Sequence, residues 1–225
     1  MRNPSNWMLL TMLSLAASSS NAQQKADQQQ KKVTMTRPMT TKQNPLSAQE
    51  RNDAVKFLEE TQLEVFSAIR NLNEAQLSFK PGPEKWSIEE CVKHIAAAET
   101  TLWATAEESL KRPANPDKTA GIQFTDQELV HAVKDRSHKS KTFAALEPAS
   151  SAYKTLDQAL ASFKENREKL IAFVKNTKLD LRNHVSVLPI GTYDAYQFIL
   201  LISAHTNRHT QQIAEVKENI QFPKD

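Results

Sequence analysis

Ala204-His205-Thr206-Asn207-Arg208-His209-Thr210-Gln211-Gln212-Ile213 lies inside a helical pattern whose reading decides the fold. Ala195, Phe198, Ile202, His205, His209, Ile213, Val216 and Ile220 recur at steps of three and four. At about 100° per residue these positions fall within roughly 40° either side of one line along the helix. His205 and His209 therefore sit one turn apart in the middle of an otherwise apolar stripe. Imidazoles at i and i+4 on one face can converge on a single ion, the spacing zinc sites use on helices. A lone inward histidine is usually a satisfied core residue, but two in register each need a partner.

Upstream of that stripe the chain offers three further long helices. Ser47-Ala48-Gln49-Glu50 forms a capping box, and Val55, Leu58, Gln62, Val65, Phe66, Ile69 and Leu72 mark the buried side of a first helix ending near Asn73. Pro81-Gly82-Pro83 then forbids helix until Ser87 and Glu90 form a second box, with Trp86 placed to pack on Cys91. The second helix runs to about Leu110 and buries Ile88, Cys91, Ile95, Ala98, Leu102 and Ala106. Thr125 to Glu128 caps a short helix stapled by Phe124 on Leu129, its inward residues being Leu129, Val130 and Val133. Thr155 opens the third long helix, with Leu156, Leu160, Phe163, Leu170, Phe173 and Val174 inward and an end near Lys178. Residues 179–191 read as irregular, and the last helix covers about 192–219. Four helices of this length with moderate connections predict an all-α, up-down four-helix bundle with one short extra helix, over residues 47–222.

The composition agrees. Only 3 glycines stand in 225 residues, and the formal charge of +3 is spread over mixed-sign faces. No basic run is interleaved with aromatics, so no nucleic-acid partner is expected. Arg2, the apolar segment Trp7 to Ala17, and Ser20 and Ala22 at −3 and −1 read as a signal peptide over 1–22, cleaved after Ala22. An uncleaved anchor is the alternative, but the apolar run is too short to span a bilayer as a stable anchor. Residues 23–46, rich in Gln and Lys without apolar periodicity, read as a disordered linker. The expected location is therefore periplasmic or secreted. The single Cys91 excludes an internal disulfide, so stability must come from the core.

A metal wants at least a third protein ligand. His131 and His138 fall on the solvated side of their segment, and His184 is on a loop that could fold over the bundle end. His94 borders an apolar stripe on a different long helix, about 40° from Ala98, where it points into a groove between helices. Its alternative is a core-edge ring bonded to a carbonyl. Glu99 on the same helix is either a general base or a buried carboxylate paired with Arg167 or Arg208. Cys91, one turn before His94, could approach an ion as a thiolate or remain a buried thiol. Tyr193 and Tyr196 could line a pocket mouth or simply pack. Thr206 stands where the base of an HExxH helix would be, which excludes that class of peptidase.

Trp86-Ser87, His94 within Cys91-Val92-Lys93-His94-Ile95-Ala96-Ala97-Ala98-Glu99, and His205-x-x-x-His209-x-x-Gln212-Ile213 together resemble the DinB-like family, which includes the YfiT-type proteins. The resemblance covers about residues 47–220. It implies a four-helix bundle holding a divalent metal on three histidines, matched here by His94, His205 and His209. Zn, Ni, Fe and Mn all occur in the family, and three imidazoles suit most first-row ions. Relatives include thiol-dependent transferases using bacillithiol or mycothiol, and a maleylpyruvate isomerase. Members often pair as dimers, so a homodimer is an expectation of the resemblance. The export signal departs from cytosolic members and argues against a thiol-transfer role, since reduced small thiols are not expected outside the cytosol. The expectation is an exported metal-dependent transferase or hydrolase acting on a small molecule. The alternative is a non-catalytic bundle, stabilised by its ion, that binds a ligand or partner.

Overall fold

The computed structural model describes residues 45–138 and 141–224. The signal peptide and most of the linker expected from the sequence lie outside them. Leu46, the last residue assigned to the linker, is buried in the core.

The chain forms α1 (Ala48–Ala68), α2 (Glu74–Ser78), α3 (Ile88–Leu110), α4 (Asp126–Lys134), α5 (Leu156–Asn176), a hairpin of β1 (Val185–Leu188) and β2 (Gly191–Asp194), and α6 (Ala195–Lys217). All three capping boxes read from the sequence are present, at Ser47/Glu50, Ser87/Glu90 and Thr125/Glu128. Each serves two free amides at a helix start with one pair of side chains, so neighbouring residues suffice to specify it. Thr155 caps α5 through the amide of Gln158.

Two elements differ from expectation. α1 stops at Ala68, short of the end expected near Asn73, and Asn73 instead forms a capping box with Gln76 for α2, which is too short to show a helical period. The segment expected to be irregular instead pairs Val185 with Asp194 and Leu188 with Gly191 across a two-residue turn. Gly191 has φ 135°, and a Cβ there would lie 2.6 Å from the Tyr193 hydroxyl, so a side chain is excluded. Asn115, far away in sequence, closes the outer edge of β1: its side chain donates to Val185 O at 2.9 Å and accepts from Val185 N at 2.8 Å. α6 accordingly starts three residues later than the stripe suggested, with Asp194 as its cap. It ends before Ile220, which the stripe placed inside but which is 96% exposed.

The four long helices make the expected bundle. α1 packs on α5 and α6, and α3 packs on the same two. Arg51 donates to Val174 O and Arg167 reaches Thr61, so α1 and α5 are antiparallel. Tyr196 bonds Glu50, Asn207 bonds Glu64 and Lys217 bonds Ala68, so α1 and α6 run parallel. Trp86 stacks at His209 while Ala106 clusters with Phe198, so α3 and α6 are antiparallel. Lys93 meets Lys154, Glu99 meets Arg167 and Trp103 meets Phe173, so α3 and α5 are parallel. The four-helix bundle is as expected, but the directions do not alternate strictly: they run up, down, down, up, with the α1–α3 and α5–α6 connections crossing the diagonals and a long connection joining the parallel α3 and α5. This order puts α3 directly against α6. Leu58, Phe163, Leu170, Phe198 and Ile199 lie at zero exposure between the helices. Among the described residues no helix is long and apolar enough to cross a membrane.

Candidate metal centre

His94 comes from the first half of α3, and His205 and His209 from the middle of the antiparallel α6. Crossing brings the three rings together: His94 Nε2 is 3.3 Å from His205 Nε2, and His209 Nε2 is 3.1 Å from it. The ligand atoms of all three lie within 4.8 Å of one another. Two ligands at about 2.1 Å from a tetrahedral zinc stand about 3.4 Å apart, so these separations suit one shared ion.

The far sides of two of the rings explain their orientation. His94 Nδ1 donates to the carbonyl of Leu146 at 2.8 Å, and His209 Nδ1 donates to Gln212 Oε1 at 3.0 Å. A proton held on Nδ1 leaves Nε2 as a bare lone pair, the arrangement that second partners impose on ligating histidines. His205 Nε2 faces two such lone pairs. Even if it carries a proton it can serve only one of them, and the other contact is lone pair against lone pair. A cation resolves that conflict. Trp86 closes one wall, stacked on His209 (centroids 5.9 Å, planes 16° apart) and tilted on His94 at 4.8 Å.

Burial holds all three rings neutral, as ligands must be. It lowers His94, the Leu146 bond only partly offsetting it. Burial, then His94 and Arg208, push His205 down to about 3. Burial and the other two rings hold His209 well below the usual imidazole range. Arg208 adds to the push on His205 and Arg136 to that on His209, and among the described residues the group that could hold an ion consists of the three rings, with no carboxylate in it. An ion here therefore keeps its charge uncompensated by its three ligands.

The other candidates are placed elsewhere. His184 Nδ1 bonds the carbonyl of Ser109 at 3.0 Å, roughly 22 Å along α3 from His94, and does not join the site. His131 and His138 are exposed, as expected. Cys91 is fully buried in the core cluster that Trp86 packs against, and burial pushes its thiol well up; it is inert packing. Glu99 is not a free base, because both its oxygens are taken by Arg167. Thr206 accepts from the same guanidinium at 2.9 Å. Tyr193 donates to Ile190 O as a packing residue, whereas Tyr196 donates to Glu50 O and lines a groove with Phe57, Val130 and Leu200, away from the rings. Sequence reasoning did not assign the Leu146 carbonyl, the stacking of Trp86 on the rings, or a partner for Gln212. A backbone carbonyl leaves no signal in a sequence. Gln212 did: it stands at i+3 from His209, on the same face.

Comparison with known proteins bears on the fold and the family. Over 170 residues the chain is 28% identical to the uncharacterised protein YuaE of Bacillus subtilis (strain 168), covering 74% of this chain and 99% of that one. YfiT from Bacillus subtilis, described as "a probable metal-dependent hydrolase with an unusual four-helix bundle topology", superposes with a TM-score of 0.54 at 15% identity. The match covers 79% of this chain and 91% of YfiT, and establishes likeness of fold. The family model of the DinB superfamily matches residues 57–213, which spans α3, α5 and the histidine pair of α6, and the chain therefore belongs to the DinB superfamily.

Proposed function

We propose that the protein is a metal-dependent hydrolase or transferase acting on a small molecule at a divalent ion held by His94, His205 and His209. The carrying observation is the convergence of three neutral rings on one point, two with Nδ1 protons fixed elsewhere. The residues fit such an ion in spacing, protonation and orientation. A divalent ion bound there supplies Lewis acidity toward a carbonyl or a water. The protein's part is to hold the rings, through Leu146 and Gln212, and to wall the site with Trp86. Because the three ligands are neutral rings, the site favours a substrate presenting an anionic or carbonyl oxygen. The description of YfiT as a hydrolase supports this reading by analogy of fold. The proposal includes export, for which the signal-like segment 1–22 is the support, and leaves Zn, Ni, Fe and Mn as candidate ions.

The occupation of Glu99 by Arg167 favours a second reading, a non-catalytic bundle stabilised by its ion, since the carboxylate that the sequence offered as a general base is not free. Elemental analysis of wild type and His94→Ala, followed by a screen of small esters, amides and thiol conjugates with the identified ion, separates the two. Stoichiometric metal and turnover, both lost in His94→Ala while the helical signal persists, support the enzyme. Metal without turnover supports the second reading, and absence of metal from the wild type rejects both.

A further inference from the structure

Arg167 is completely buried, yet it carries a full charge. Its Nε and Nη2 donate to Glu99 Oε1 and Oε2 at 2.9 and 2.6 Å. Nη1 donates to Leu58 O and Thr61 Oγ1, both at 2.7 Å, and Nη2 donates also to Thr206 Oγ1 at 2.9 Å. The guanidinium lies 5.0 Å above the Phe163 ring. One side chain of α5 thus bonds to α1, α3 and α6.

Stability alone does not require this. A bundle core can be filled by apolar residues, and replacing a buried ion pair with apolar residues of similar volume is often neutral or stabilising. What hydrogen bonds add is registry: apolar ridges can settle at neighbouring heights, whereas a fork of directed bonds is satisfied at one. The two groups bridged by Nη2 are informative. Glu99 follows His94 on α3, roughly 7 Å further along the axis. Thr206 adjoins His205 on α6. A slide of α3 against α6 by a single residue rise, about 1.5 Å, would displace the His94 ring relative to His205 by nearly half of their 3.3 Å separation.

The geometry points to Arg167 as the positioning residue of the metal centre: it clasps α3 to α6 at the height where His94 meets His205 and His209. The clasp sets the spacing of ligands and touches no substrate. The inference rests on the metal reading for its purpose, but its geometric content can be tested separately.

The test is the double variant Glu99→Leu with Arg167→Met, which removes both charges and leaves neither orphaned, beside Thr206→Val, which removes only the link to α6. Each is compared with wild type by circular dichroism, by calorimetric titration with zinc and with cobalt(II), by the visible spectrum of the cobalt form, and by a crystal structure without metal. The expected double variant is folded, binds zinc about 10- to 100-fold more weakly, shows an altered cobalt spectrum, and has lengthened His94–His205 separation. A folded double variant with wild-type affinity, spectrum and ring separation overturns the proposal. Should the double variant not fold, Thr206→Val decides: affinity about tenfold weaker sustains the clasp, and unchanged affinity overturns it. If wild type binds neither ion, the metal reading fails, and ring separation in the variants' crystal structures alone decides the positioning role.

Discussion

Replacing His205 with Ala removes the ring that stands between the other two, at 3.3 and 3.1 Å from their Nε2 atoms. Structural zinc bound by four ligands is worth about 10–16 kcal/mol, so one ligand carries on the order of 3 kcal/mol, or about a hundredfold in affinity. The cost to the metal-free fold is small by comparison, because His205 is half-buried and the ring that leaves is one burial already penalises. An ion at a hundred times the wild-type Kd stabilises the native state by about 2.7 kcal/mol. For a domain of this size that raises Tm by roughly 5–11 °C. The same concentration only matches the variant's Kd, which yields about 0.4 kcal/mol and roughly 1–2 °C. The assay is thermal denaturation of chelator-stripped protein, with and without Zn, Ni, Fe or Mn. An equal shift in variant and wild type, or no shift in the wild type with any of the four, refutes a shared three-ring site.

Gln212→Leu leaves the His209 Nδ1 proton without its acceptor at 3.0 Å and should weaken metal binding by about 10- to 100-fold while the melting curve of the metal-free protein moves little; unchanged affinity in a calorimetric titration counts against the orienting role. The metal-free protein should lose stability on acidification. Burial depresses all three rings in the native state, to about 3 for His205, so below about pH 6.5 the unfolded chain takes up protons that the native chain does not. Each ring then contributes a fall of up to about 1.4 kcal/mol per pH unit. Asp194, raised to about 6 mainly by burial, acts oppositely, its contribution being present at low pH and lost as pH rises through that value. Urea titrations at pH 7 and pH 5 in chelator should therefore show a steeper loss for wild type than for His205→Ala. Cys91, fully buried with its thiol pushed up by burial, should resist a thiol reagent in the native state and react at the rate of unfolding; rapid labelling of folded protein would contradict its placement.

The helices were legible because their signals are local. Ser47/Glu50, Ser87/Glu90 and Thr125/Glu128 cap within one turn, and a stripe such as Phe198-Ile202-His209-Ile213 needs only the 3.6 period to declare its inner face. The pairing of His205 with His209 follows from the same period. His94 was different. Its edge position on a different long helix made it the better third candidate, with a carbonyl-bonded core ring as the alternative, and the resemblance to a family implied the same residue. In the structure it is bonded to a carbonyl, that of Leu146, and also faces the other two rings. The hairpin escaped because strands of four residues, with Val187 exposed, carry too little alternation, and because Asn115 closes their edge from far along the chain. Arg167 shows the same limit. Its position between Phe163 and Leu170 continues the inward stripe, but only the crossing of four helices shows that Glu99, Thr61, Leu58 and Thr206 await it. By itself the sequence determined where helices begin, which faces turn inward, and that two imidazoles share one of those faces. The tertiary structure alone decided which helices become neighbours and at what height they meet, because those choices depend on side-chain pairings between residues that the chain holds far apart until it folds.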